Sequence, residues 1–60
     1  MVSKSVVSQI IKTISKMEYI DESDVMRLNS FAVAFGIEEA NDEKSFYKVK
    51  GLLLKRLMSE

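Results

Sequence analysis

The sequence predicts an all-α protein: a small three-helix bundle with short loops, whose third helix is also the expected dimerisation surface. Three observations carry this. Apolar residues recur at the helical period in three separate stretches, not at the two-residue period of strands. Proline is absent and glycine occurs only at Gly36 and Gly51, so little interrupts a helix. The breaks between the stretches fall where capping residues stand. All 60 residues read as one domain, with helices expected at about 3–17, 22–35 and 42–58.

In the first stretch Val6, Val7, Ile10, Ile11, Ile14 and Met17 are apolar, against polar Lys4, Ser8, Gln9, Lys12, Thr13 and Lys16. The β-branched residues lower helix propensity. Strand alternation nevertheless fails at both adjacent apolar pairs, so the helical pattern wins. Ser3 or Ser5 is the expected N-cap. The second stretch has the clearest start. Asp21 caps a helix beginning at Glu22, and Asp24 stands in for the Glu or Gln of a capping box. Ile20 and Val25 are placed as a hydrophobic staple. Val25, Leu28, Ala32 and Phe35 form the expected buried stripe, with Phe31 beside it. Gly36 suits the left-handed residue that closes a helix, after which Ile37 folds back.

Residues 38–41 read as a short polar connection. Asn41 or Asp42 caps the third helix, and Asp42 and Glu43 bring negative charge to its first turn. Short connections predict antiparallel neighbours. The expected core is Val6, Ile10, Ile14, Val25, Leu28, Ala32, Phe35, Phe46, Val49, Leu53 and Leu57.

The third helix carries two apolar rows. Phe46, Val49, Leu53 and Leu57 form one; Tyr47, Gly51, Leu54 and Met58 form the other. One row docks a helix onto a small core. The second needs another helix of the same chain or a second molecule. A chain this short buries only about 60% of the surface it exposes when unfolded, and small scaffolds usually need a staple. Cysteine and histidine are both absent, which removes disulfides and the usual zinc ligand sets. Oligomerisation or unusually good packing remains.

Composition also narrows function. Without histidine or cysteine, and with isolated glycines, the chain offers no general base for neutral pH, no thiol nucleophile and no phosphate loop. The run Asp21-Glu22-Ser23-Asp24 does not continue as a calcium loop. No catalytic, cofactor-binding or metal residue is therefore expected, and no small-molecule substrate. The longest apolar run, Phe31 to Phe35, is five residues, far short of a membrane span. No signal peptide is read at the N-terminus, so a cytoplasmic location is expected.

Net charge is zero but segregated. Residues 1–17 carry Lys4, Lys12 and Lys16 and no acid. Residues 18–43 carry eight acids against Arg27. Residues 44–60 carry four lysines and Arg56 against Glu60. Helix dipoles account for much of this, since acids favour helix starts. The expected function is a small non-enzymatic interaction module, a regulator or inhibitor that binds another protein and/or itself, through Tyr47, Gly51, Leu54 and Met58. The alternative is a helix-turn-helix-like nucleic-acid binder using Lys44, Lys48, Lys50 and Lys55. Zero net charge and the acids Asp42 and Glu43 at the helix start weigh against it.

Overall fold

A computed structural model describes residues 4–59. It holds α1 (Lys4–Ser15), α2 (Glu22–Ala34) and α3 (Glu43–Met58), packed as a small all-α three-helix bundle. The central element is α3, which lies against both α1 and α2, whereas those two touch each other far less. The Cα radius of gyration is 10.9 Å, close to the roughly 10.4 Å expected of a compact domain this long. The thinnest dimension is 15 Å. One side of α3 is buried against its neighbours, while Lys44, Lys48, Gly51 and Lys55 on the other are exposed.

The core follows the first apolar row of α3. Phe46, Val49, Leu53 and Leu57 are all buried, facing Ile14 of α1 and Leu28 and Ala32 of α2. Among the described residues, every buried one is apolar. Burying side chains of this size contributes roughly 1.5–3 kcal/mol each. Ile10, Val25 and Phe35 pack against this core while partly exposed. Val6 does not join it and is 49% exposed. The packed stripe of α1 is Val7, Ile10, Ile11 and Ile14, and Val6 sits at its edge. Conversely, Ala40 is buried although its neighbours made the segment read as a polar connection.

Both expected capping sites form. Asp21 has extended backbone and accepts from the Ser23 N–H at 2.9 Å, while the Asp24 carboxylate accepts from the N–H groups of Ile20 and Asp21. The staple does not close, because Ile20 is 79% exposed. The cap of α3 is Asp42, not Asn41. Its carboxylate accepts from the Ser45 N–H at 2.7 Å, and the Ser45 hydroxyl accepts from the N–H groups of Asn41 and Asp42. Ser5 lies inside the first turn of α1 and is no cap; Ser3 lies outside the described residues. Helix α1 ends at Ser15, not Met17, as the chain tightens so that the Met17 N–H reaches the Ile14 carbonyl.

The end of α2 determines where α3 goes. Phe35 is the C-cap and Gly36 has φ +70°, the left-handed conformation that favours glycine. The Ile37 N–H bonds to the Ala32 carbonyl at 2.8 Å and the Gly36 N–H to Val33 at 3.2 Å, the pair that defines a Schellman motif. The chain then runs back along α2. Halfway along that helix the Asn29 side chain holds both backbone groups of Ala40, accepting from its N–H at 2.7 Å and donating to its carbonyl at 2.9 Å. Tyr19, just before α2, meets Phe46 near the start of α3. Ile37, just after α2, borders a shallow depression with Leu52 and Arg56 toward the end of α3. So α2 and α3 run in the same sense, against the antiparallel expectation, because residues 37–41 make the return journey.

Two outcomes follow. Asn29→Ala strands two partly buried backbone groups, so we expect a loss of about 1–2 kcal/mol, measured by urea unfolding, with faster hydrogen exchange at the Ala40 amide. Unchanged exchange there would refute the role of Asn29. Hydrogen bonds from the Ser23 side chain and backbone hold the Asp21 carboxyl below its ordinary value of 3.8, and the Ser45 backbone and hydroxyl do the same to Asp42. A carboxylate depressed by folding contributes stability that is full above its unfolded value and lost as pH falls through its folded one. Stability should therefore decline below the ordinary aspartate range. The double variant Asp21→Asn, Asp42→Asn keeps capping-competent side chains and should show a shallower acid decline in circular dichroism.

Candidate functional site

The outward side of α3 is built by helical geometry. Residues four, seven and eleven apart share a face, so Tyr47, Gly51, Leu54 and Met58 line up. Lys44, Lys48, Gly51 and Lys55 form an adjoining row at the same spacing. Gly51 belongs to both. The result is an apolar strip beside a basic one, on the helix that the rest of the fold anchors best.

The four expected contact residues are not equally exposed. Met58 is 68% exposed and Tyr47 45%. Leu54 is partly buried and packs against the core, so its side chain serves the monomer as well. Gly51 is exposed, and a Cβ built on it would meet nothing within 4 Å. Neither α1 nor α2 needs a glycine there. Its effect within the monomer is a helix-propensity cost of roughly 1 kcal/mol against alanine.

Tyr47 also holds the fold together. Its hydroxyl accepts from the Tyr19 N–H at 3.2 Å, and its ring meets Phe46 edge-on with centroids 5.0 Å apart. Lys50 stands on the same side. Its ammonium donates to the Met17 carbonyl at 2.7 Å and lies 5.9 Å from the Tyr47 ring centroid, within cation–π range. Lys50 therefore clamps the α1–α2 connection and departs from the other lysines proposed as nucleic-acid contacts. Lys44, Lys48 and Lys55 are exposed on the outer face.

Apolar side chains are exposed elsewhere as well. Met26 and Val33, on the outside of α2, are 72% and 61% exposed, and Leu52 on α3 is 47% exposed. An open cleft of about 700 Å³ lies between the end of α1 and α2, with Lys16, Met17, Glu18, Ile20, Arg27 and Phe31 among its lining. The weak contact between α1 and α2 leaves it open. Among the described residues, no group of three or more carboxylates is placed to hold a metal ion, and no helix is long and apolar enough to cross a membrane. Comparison of the chain with protein-family models, curated proteins and solved structures finds no match.

The glycine gives a direct test. Gly51→Ala should stabilise the isolated protein by up to about 1 kcal/mol, raising Tm by roughly 4–8 °C in thermal unfolding. A lowered Tm would mean that another part of the same chain occupies the space beside Gly51.

Proposed function

We propose that the protein is a small non-enzymatic interaction module that works by binding another protein through the outer face of α3. The observation that supports this is Gly51. It weakens the central helix, no neighbour in its own fold uses the space it leaves, and it sits between exposed Tyr47 and Met58. Exposed apolar side chains scattered singly are ordinary. An apolar row centred on an unfilled glycine, on the helix that both others brace, fits a contact surface better than a solvated one. Tyrosine and methionine are among the residues enriched in such surfaces.

The nucleic-acid alternative keeps Lys44, Lys48 and Lys55 but loses Lys50, which is engaged with Met17. The start of α3, where such helices usually approach bases, carries Asp42 and Glu43. The apolar row would face phosphates with nothing to offer them.

Leu54→Glu is a poor probe, because Leu54 also packs on the core. Met58→Glu is cleaner. It should leave helix content and Tm within error of wild type while removing association, whether with a captured partner or with a second copy in sedimentation equilibrium. Leu52→Glu, on the other side of α3, should leave association intact. If Met58→Glu associates as wild type does, the face is not the binding surface. A complex with mixed-sequence duplex DNA at low salt that weakens steeply as salt rises would favour the alternative.

A further inference from the structure

We infer that the outer face of α3 takes an acidic amphipathic helix from a different protein, crossing α3 at Gly51. This rests on the protein-binding reading above and adds the chemistry of the partner. Three observations carry it. First, the surface beside Gly51 is open, and Tyr47 and Leu54 lie one turn to either side of it on the same row. A missing Cβ at that point lets a second backbone come close, and a helix laid across the row inserts its own apolar side chains between Tyr47, Leu54 and Met58.

Second, the row beside it is of one sign. From residue 44 to residue 59 the chain carries Lys44, Lys48, Lys50, Lys55 and Arg56 and no acid. Lys44, Lys48 and Lys55 are exposed along the edge of the apolar strip. A helix docked there brings one flank against these three cations, and charge complementarity selects carboxylates on that flank.

Third, the same charges disfavour a second copy. Laid antiparallel across Gly51, a copy of α3 sets the lysine row against itself. Laid parallel, it sets that row against Lys50. On the facing flank of α3 itself the only acid is Glu43, set among lysines, so like charges brought together count against the pairing. The face expected from sequence to make a homodimer is therefore built for a partner of opposite charge.

The test titrates the full chain with two synthetic helical peptides that share a leucine stripe and differ only in flanks of glutamate or lysine, and with mixed-sequence duplex DNA. Binding is read by calorimetry and by backbone amide shifts. The glutamate peptide should bind at least roughly tenfold more tightly than the lysine peptide, with shifts centred on Tyr47, Gly51, Leu54 and Met58. Gly51→Leu should weaken it by a similar factor without lowering Tm, since the new side chain meets open space only in the free protein. Equal binding of the two peptides would overturn the acidic partner while leaving a protein-binding face. Binding of the glutamate peptide that ignores both Gly51→Leu and Met58→Glu would overturn the face itself, as would preferential binding of the duplex. Failure of the glutamate peptide to bind would overturn this inference alone, since Met58→Glu tests the face separately.

Discussion

One row of side chains, Phe46, Val49, Leu53 and Leu57, holds the molecule together. Because α1 and α2 make little contact with each other, both depend on that row of α3 for burial. A larger protein would close the triangle with a second layer. The described residues form no such layer, and their thin form follows. The two sides of α3 follow from this arrangement: one is committed to the core, and on the other Lys44, Lys48, Gly51 and Lys55 face solvent.

With so small an apolar core, polar contacts fix the connections. Lys50 holds the carbonyl of Met17, Tyr47 receives the amide of Tyr19, and Asn29 holds both backbone groups of Ala40. Each joins a loop to a helix far away in sequence. Net hydrogen bonds of this kind contribute only about 1 kcal/mol apiece, but leaving partly buried backbone groups unpaired costs more. They therefore decide where the loops lie more than how stable the whole is. The two aromatic contacts of Phe46, with Tyr19 and Tyr47, place its ring at the meeting point of all three helices.

What could be read from the sequence was whatever acts locally. Asp21 with Asp24, Gly36 with Ile37, and the four-residue row of α3 are signals contained within one or two turns, and they appear where expected. Asn29 was silent because its partner, Ala40, lies eleven residues on. An amide in the middle of a helix, where asparagine is a poor former, was the only hint. Ser45 was passed over because a serine at the third helical position is a less common box partner than glutamate. Val6 and Ile20 misled because periodicity gives a face its direction but not its width. Of the candidate site, the spacing of Tyr47, Gly51, Leu54 and Met58 was legible. The division of labour among them was not, since it depends on where Tyr19 and Met17 come to rest.

The backtracking of residues 37–41 has an electrical consequence. It brings the starts of α2 and α3 to the same end of the molecule, as the meeting of Tyr19 and Phe46 shows. Asp21, Glu22 and Asp24 thus gather with Asp42 and Glu43, while Lys55 and Arg56 stand at the far end of α3. A chain of zero net charge thereby becomes an unevenly charged body, with these five carboxylates gathered at one end among Lys16, Arg27 and Lys44. The field of a charged partner exerts a torque on such an object before any contact forms. Orientation during approach is thereby built into a turn that, by its chemistry alone, only reverses the chain.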